Sequence, residues 1–354
     1  MLELTPAIPA PAGWLRRGIA NCYFHSPMVS VVRRIRERYR IPPVASGRWP
    51  FGLQKRERAT ARILCFHRVN DDCDPFFPSI ATRLFEAEMR FLSRHYRVVS
   101  LAEMFRRLQE GPAEPVLAIT FDDGYRDNFE NAFPILKRYG LPATIFLATG
   151  AIDTAEPLWF ERVAQALKTT ARELLEVERG RVMPLRNTAE RLEANDYLFS
   201  VFRAATDADR RRLLEDVLEQ LGGTERRSEM LNWNDARYMA AQGIDFGGHT
   251  VTHPFLSRVT PEEARRETAL CKQRIEAELQ RPADFFAYPN GRDEDIGGVA
   301  KQAVWQAGYK AAMSTIWGVN TGATDAFELR RGGPWEQSPA MFASKLDWYE
   351  LVEA

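Results

Sequence analysis

Short apolar runs alternate with amphipathic segments along most of the chain. The runs at 62–66 (RILCF), 116–121 (VLAITF) and 143–148 (ATIFLA) predict buried strands, because strands covered on both faces read as continuous apolar stretches. Segments such as 82–95 and 261–279 instead have apolar residues at helical spacing. Regular alternation of strand and helix predicts an α/β fold built on a parallel sheet or barrel. Further short strands are predicted at 244–247, 285–288, 309–313 and 327–330.

One long segment interrupts this alternation. Residues 151–231 show no strand pattern and predict helices. We interpret them as a helical insertion between two barrel strands, at the face where barrel enzymes carry their site loops. The predicted units are an N-terminal helical extension and linker (1–61), a barrel (62–334) that contains the insertion (151–231), and a C-terminal tail helix (335–354).

Charge is balanced over the whole chain but not along it. The 354 residues contain 48 Lys and Arg against 48 Asp and Glu, so net charge gives no reason to expect a nucleic-acid partner. Residues 1–62, however, hold 12 basic residues against 3 acidic ones. This basic segment is expected either to lie on an anionic membrane surface or to pack on the acidic remainder of the same chain, and both interpretations stay open.

Apolar stretches and cysteines bear on the compartment. No stretch approaches the ~18 apolar residues of a membrane span, and the prolines and Glu3 near the N-terminus do not fit a signal peptide. The four cysteines form no C-x-x-C pair, so a reducing compartment is expected. The sequence therefore predicts a cytoplasmic protein that could contact a membrane through its basic segment, and it indicates no oligomeric state.

Two adjacent aspartates follow the clearest predicted strand, in TFDDG (120–124). Carboxylates that leave a buried strand are costly unless a cation or strong hydrogen bonds hold them. Adjacent strand residues point to opposite faces, so Asp122 and Asp123 must stand where the strand gives way to a turn, which Gly124 permits. Taken alone, such a motif is more often a turn or a helix cap.

Two histidines stand four residues apart in HTVTHP (249–254). This spacing places His249 and His253 on one face of a helical turn, where both imidazoles can reach one ion. An isolated pair of this kind is more often two surface histidines. Together with one aspartate, however, the pair forms a ligand set that leaves positions open for water, and the second aspartate would stand beside that water as a base.

These motifs resemble those of the polysaccharide deacetylase (NodB homology, carbohydrate esterase family 4) superfamily. TFDDG (120–124), HTVTHP (249–254) and the looser FAYPNG (286–291) carry the resemblance, which covers about residues 62–334. FHRV (66–69) resembles the opening motif of the bacterial exopolysaccharide and surface-glycan deacetylases. The resemblance implies a distorted (β/α)7 barrel and metal-dependent removal of N-acetyl groups from an N-acetylated glycan or glycan precursor.

The resemblance also assigns roles by position. It implies that Asp123, His249 and His253 are the metal ligands and that Asp122 is the catalytic base. The main-chain N–H of Tyr288 matches a donor to the oxyanion. For such a ligand set zinc is the default metal, although cobalt, nickel and iron also accept it.

The general acid requires a separate argument, because the late Leu-x-His of the superfamily is missing. Two of the five histidines are assigned as ligands, His25 lies in the N-terminal extension, and His95 ends a predicted surface helix. His67 remains, directly after a buried strand, and the glycan-deacetylase branch that the chain resembles uses the histidine at this position as the acid. The alternative is a structural histidine at the strand end.

A second departure concerns the arginine that usually precedes the Pro-Tyr motif. Residues 285–287 (FFA) stand in its place, and the nearest match to the late motif is 329–331 (LRR). Arg331 is therefore a candidate for orienting Asp122, with a solvated or structural arginine as an equally weighted alternative.

Three functions remain open at this stage. The first is a metal-dependent N-deacetylase that acts on a glycan or glycan precursor. The second is a hydrolase of another non-peptide C–N bond, such as that of a cyclic ureide, because fold and metal site do not fix the substrate. The third is a glycan-binding module without activity, against which the intact motif residues argue.

Overall fold

The computed structural model describes residues 60–111, 114–177, 180–223, 229–333 and 338–352. Nearly all of the predicted N-terminal extension (1–61) lies outside these residues. Its membrane-facing and self-packing interpretations therefore stay predictions.

The core of the protein is a parallel sheet. The strands of the described residues are β1 (Ala61–Phe66), β2 (Val116–Phe121), β3 (Thr144–Leu147), β4 (Leu174–Val177), β5 (Arg181–Pro184), β6 (Asp245–Gly248), β7 (Phe285–Ala287) and β8 (Ala311–Met313). Of these, β4 and β5 form a separate hairpin. Six of them form one sheet in the order β1-β2-β3-β6-β7-β8. All residues of β1 and β2 are buried, because the barrel interior covers one face and helices cover the other. These two strands pair in register, from Ala61 opposite Val116 to Phe66 opposite Phe121, so the chain leaves both at the same edge of the sheet.

A short segment after β8 occupies the place of a seventh strand. Leu329 forms a parallel bridge with Met313 of β8, and Gly332 forms one with Leu64 of β1. The amide of Cys65 donates to the Gly332 carbonyl at 3.1 Å. The predicted distorted (β/α) barrel is thus confirmed, with six regular strands and one bridged segment where a strand was expected at 327–330.

The helices pack around this sheet. They are α1 (Thr82–His95), α2 (Leu101–Glu110), α3 (Phe133–Tyr139), α4 (Trp159–Thr169), α5 (Thr188–Ala204), α6 (Asp207–Leu221), α7 (Trp233–Ala241), α8 (Pro261–Leu279), α9 (Gly298–Gln306) and α10 (Pro339–Val352). Local capping sets their ends: the Ser100 side chain accepts from the Glu103 amide before α2, and Gly140 closes α3 in the left-handed conformation. On the barrel side, the Phe85 ring of α1 packs edge-on against Phe66, with centroids 5.2 Å apart.

The insertion (151–231) corrects one expectation. It contains α4, α5 and α6, as its pattern predicts, but also the antiparallel hairpin of β4 and β5. Each strand has only four residues, and apolar side chains stand on both faces: Leu175 and Met183 are buried, while Leu174 and Val182 are exposed. So short a segment with apolar residues on both faces lacks the alternation that marks a half-buried strand.

The C-terminal helix α10 lies in the segment for which a tail helix was predicted. Its Phe342 side chain is buried against Phe91 of α1, with ring centroids 6.2 Å apart. Among the residues described, no helix combines the length and the apolar character that a membrane crossing requires.

Candidate active site

The two aspartates follow the end of β2, as the sequence predicts. Asp123 has a φ of 72° and Gly124 a φ of 89°, so the chain leaves the strand in a left-handed turn. A Cβ on Gly124 would stand 2.7 Å from a methyl carbon of Leu147, so a larger residue would have to displace that side chain. The turn breaks the strand alternation, and both carboxylates line the same cleft at the mouth of the barrel.

The two histidines follow β6 in a compact loop rather than on a helical turn, which corrects the expected local structure. Thr250 and His253 have φ values of 67° and 57°. These two left-handed residues fold the loop back on itself, so the rings of His249 and His253 meet with centroids 4.9 Å apart. The expectation that both imidazoles reach one point is confirmed, although the reason given for it was wrong.

Glu267 of α8 fixes this loop, although no motif of the sequence points to it. Its carboxylate accepts hydrogen bonds from the amides of Val251 and Thr252, both at 2.8 Å, and from the Thr252 hydroxyl at 2.9 Å. An acidic residue in a charged helix gives no local signal of such a role. Only the packing of α8 beside β6 brings it to the loop.

Asp123, His249 and His253 form a buried cluster that could hold a cation. Asp123 Oδ1 lies 3.3 Å from Nε2 of each histidine. His249 Nδ1 lies 2.7 Å from the Ala287 carbonyl, which can only accept, so in the neutral imidazole Nδ1 carries the proton and Nε2 has the lone pair that a cation would take. Asp123 Oδ1 is buried and has no hydrogen-bond partner in the described ranges. A carboxylate oxygen and two imidazole nitrogens that face one another fit a divalent cation.

The two histidines also determine the charge of Asp123. Burial by itself would raise the pKa of this carboxyl, but imidazoles that carry a proton on the Nε2 facing it outweigh burial and hold the pKa well below its usual value. The carboxyl is therefore poised as a carboxylate, the form that binds metal.

Asp122 lies against a fully buried arginine. Arg331 donates from Nη1 to Asp122 Oδ1 at 2.7 Å and from Nη2 to Oδ2 at 2.5 Å, and its Nε donates to the Ser314 carbonyl at 2.8 Å. Burial raises the pKa of Asp122, but Arg331, and after it His249, outweigh that effect and lower the pKa. This bidentate contact of the guanidinium holds the carboxylate ionised and in one orientation. This is the contact that the sequence left open for Arg331.

His67 stands on the open side of Asp122. Its Nε2 lies 3.9 Å from Asp122 Oδ2, and its side chain is 33% exposed, so it faces both the buried carboxylate and solvent. The Asn128 side chain donates to the His67 carbonyl at 2.8 Å. Next to it, Asp127 accepts from the amide of Val69 and from Arg68 Nε. This polar network anchors the turn that carries His67, and no motif of the sequence points to it.

The prediction for Tyr288 needs correction. Its main-chain N–H donates to the Met313 carbonyl at 3.1 Å as part of the pairing of β7 with β8, and its hydroxyl donates to the Phe327 carbonyl at 3.0 Å. The amide is thus committed to the sheet, and Tyr288 does not line the cleft. Asn290 does line it, and its buried Nδ2 has no hydrogen-bond partner in the part of the chain that the structure describes.

The site opens into a cleft of about 390 Å³. Barrel loops form its floor and one side, and the insertion forms another side, which confirms the predicted placement of the insertion at the barrel mouth. The lining residues are His67, Arg68, Phe76, Phe77, Pro78, Asp122, Asp123, Tyr125, Phe160, Ala164, Asn195, Phe199, His249, His253, Asn290 and Thr315.

Known proteins are similar to this chain. The family model described as polysaccharide deacetylase matches residues 109–312, more than half of the chain. The Bacillus subtilis (strain 168) protein YxkH, itself assigned to the polysaccharide deacetylases, is 29% identical over 300 residues, which are 84% of this chain and 78% of that one.

Two further similarities are narrower. A poly-β-1,6-N-acetyl-D-glucosamine N-deacetylase of Staphylococcus epidermidis is 32% identical over 116 residues, 28% of this chain and 40% of that one. The structure of the Streptococcus pyogenes deacetylase PplD superposes with a TM-score of 0.55 at 21% identity, over 82% of this chain and 99% of that one, and it shows the fold alone. With the family match over more than half of its length, this chain belongs to the polysaccharide deacetylases, hydrolases of carbon–nitrogen bonds other than peptide bonds.

Proposed function

We propose that this protein is a metal-dependent N-deacetylase that hydrolyses the acetamide of an N-acetylated sugar in a glycan or glycan precursor. The convergence of Asp123, His249 and His253 beside the Arg331-bound carboxylate of Asp122 carries the proposal. It supports a cation site beside a base, built from the residues that follow β2 and β6 and facing the cleft.

Asp123, His249 and His253 would hold the cation. A divalent ion in this position supplies Lewis-acid polarisation of the acetamide carbonyl and lowers the pKa of a water. Two imidazoles and a carboxylate suit zinc, and cobalt, nickel and iron also accept such ligands.

Asp122 is the base in this proposal. It accepts a proton from the water that attacks the carbonyl carbon, and Arg331 fixes the carboxylate through both of its oxygens. Because Arg331 lowers the pKa of Asp122, the carboxylate is ionised at neutral pH and ready to accept the proton.

His67 is the acid. The amine of the sugar leaves only after its nitrogen gains a proton, and acetate is the other product. His67 lies on the open side of the cleft and is 33% exposed, so solvent can return its proton after each turnover.

Acetate release tests this function. Protein stripped by a chelator is reloaded with zinc, cobalt, nickel or iron, and acetate is measured with N-acetylglucosamine, its oligomers, poly-β-1,6-linked N-acetylglucosamine and lipid-linked N-acetylated sugars. We expect release that the chelator abolishes and metal restores. In Asp122→Asn and His67→Ala, turnover should fall about 10²–10⁴-fold with metal retained. Exposed His95 of α1 provides a matched control, and His95→Ala should keep full turnover.

Three results would contradict the proposal. Acetate release that survives complete metal removal would exclude the metal role. Bound metal and bound glycan without acetate release would indicate a binding module. Turnover of cyclic ureides, with no release of acetate from any sugar, would assign the site to another C–N hydrolase.

A further inference from the structure

The insertion contacts the barrel loops on the β1 side of the cluster formed by Asp123, His249 and His253. The Phe160 ring of α4 lies 6.5 Å from the ring of Phe77, which belongs to the loop after β1. Near the C-terminal end of α4, Lys168 forms an ion pair with Asp74 of the same loop. The insertion and this loop therefore touch at two points.

The insertion also meets the loop after β7. Arg203 of α5 forms a 2.7 Å ion pair with Asp295, whose side chain is buried, and its guanidinium packs over the Phe199 ring. Arg203 Nη2 also lies 3.4 Å from the side-chain oxygen of Asn290, a residue of the cleft. In the sheet order, β2, β3 and β6 stand between β1 and β7. The insertion thus walls the mouth along the arc from β1 to β7.

This wall is fixed to the catalytic cluster. The Trp159 indole N–H donates to the carbonyl of His253 at 2.8 Å, and the Phe160 ring packs against the His253 ring with centroids 5.1 Å apart. On its other side, Trp159 packs against Phe199 and Phe202 in the core of the insertion. A segment that shares one core with the residues beside a metal ligand is a permanent wall and not a mobile lid.

The space inside the wall suits a small sugar. The cleft volume of about 390 Å³ lies toward the lower end of the roughly 300–1,000 Å³ that small-molecule sites span. From the insertion, Phe160, Ala164 and Phe199 offer apolar faces and Asn195 offers an amide that can bind hydroxyl groups. A glycan chain that lies across the mouth needs an exit on two opposite sides, and the wall blocks one of them.

We propose that the protein acts on a terminal unit of a glycan, or on a short N-acetylated saccharide, and not on sugars within a long chain. This inference rests on the proposed deacetylase function. The terminal sugar enters the cleft with its acetamide toward Asp122 and the metal ligands, and the rest of the chain leaves away from the insertion.

The position of the first amine formed tests this inference. Metal-loaded protein is given N-acetylglucosamine oligomers of two to six units for a short time, and tandem mass spectrometry locates the free amine. We expect the first amine at one terminal unit in every oligomer, with a rate per molecule that does not rise with length. Amines spread evenly over interior units would overturn the inference and leave the deacetylase function standing. Failure of every oligomer to release acetate would overturn the proposed function and this inference with it.

A double variant tests the wall itself. Phe77→Ala with Lys168→Ala removes both contacts on the β1 side, and the fraction of first amines at interior units should rise severalfold. Arg162→Ala is the matched control, because Arg162 is also on α4 but pairs with Glu215 within the insertion; its product pattern should be that of the unmodified protein. A folded double variant, checked by circular dichroism, that keeps strictly terminal products would overturn the role of the wall.

Discussion

Two carboxyl groups of this protein are almost equally buried, but their pKa values are shifted in opposite directions. Asp122 at the end of β2 is 2% exposed, and Glu161 in α4 of the insertion is 3% exposed. Asp122 receives two hydrogen bonds from Arg331, whereas Glu161 accepts one from the Leu158 amide at 2.9 Å at the start of its helix. The pKa of Asp122 is accordingly lowered, while burial raises the pKa of Glu161 to about 7. Depth of burial therefore does not decide the charge state of a buried acid; the compensating cation does.

The same contrast separates chemistry from fit. The barrel supplies a charged floor, in which Arg331, Asp122 and Asp123 are ionised and buried. The insertion supplies an aromatic wall, with ion pairs at its rim. In our proposal the floor performs hydrolysis and the wall selects which sugar reaches it. Variants that exchange or remove these features should therefore break different properties.

The largest effect is expected at the floor. Arg331→Met leaves the Asp122 carboxylate buried without its cation, so the free energy of unfolding at pH 7 should fall by about 3–5 kcal/mol. Adding Asp122→Leu removes the unpaired buried charge and should restore most of the lost free energy of unfolding. Arg331→Lys keeps a positive charge without the bidentate contact, so its free energy of unfolding should lie between those of Arg331→Met and the unmodified protein. Urea unfolding of metal-free protein measures all three. A loss below about 1 kcal/mol in Arg331→Met would mean that Arg331 does not compensate Asp122.

The next effect concerns Glu161 and has the opposite dependence on pH. Because folding raises its pKa from the ordinary 4.5 to about 7, its contribution to stability is fully present below pH 4.5 and is lost as the pH rises through 7. Glu161→Gln keeps an acceptor for the Leu158 amide but cannot ionise. At pH 8 the variant should therefore be more stable than the unmodified protein by up to about 3 kcal/mol, with no gain near pH 4.5.

Unfolding curves across pH 4.5–8 check this expectation. Glu193→Gln, at an exposed position of α5, is the control and should show no gain that grows with pH. A gain for Glu161→Gln that is the same at every pH would contradict the titration of Glu161 as its cause.

The sequence could predict what depends on strand ends. A buried strand followed by two aspartates and a glycine, and another followed by two histidines, suffices because parallel strands bring such ends to one edge. The fold, the insertion at the mouth and the convergence of Asp123, His249 and His253 follow from this rule. The bond between Arg331 and Asp122 was reached only as one of two alternatives, since no local pattern distinguishes a buried arginine from a solvated one.

What the sequence could not predict depends on register and on distant packing. The amide of Tyr288 is committed to Met313 because of the pairing of β7 with β8, which no single strand encodes. Glu267 reaches the histidine loop only through the placement of α8. The histidine loop itself uses two left-handed residues in place of a helical turn, and the β-branched Thr250 gives no signal of this conformation.

A smaller effect is expected at Glu267. Glu267→Gln keeps the size of the side chain but removes the negative charge that accepts hydrogen bonds from two backbone amides of the histidine loop. Metal affinity should fall roughly 10-fold, at the lower end of what outer supporting residues contribute. Competition with a chromophoric chelator measures this affinity. Glu262→Gln, on the same helix and paired only with Arg265 within the described residues, should leave it unchanged. Equal affinities for both variants would remove Glu267 from the support of the site.

The smallest effect is expected at the rim of the wall. Lys168→Ala breaks the ion pair with Asp74. The side chains of Lys168 and Asp74 are 39% and 18% exposed, so solvent screens this pair. The free energy of unfolding should fall by less than about 1 kcal/mol, and by less still at high salt. Arg162→Ala, which breaks a comparable pair with Glu215, should behave in the same way. If Lys168→Ala instead costs more than about 2 kcal/mol, the ion pair holds the wall in place. A small loss means that the aromatic contacts of Trp159 and Phe160 hold it, so altered products in the Phe77→Ala and Lys168→Ala variant would reflect an opened cleft in a stably folded protein.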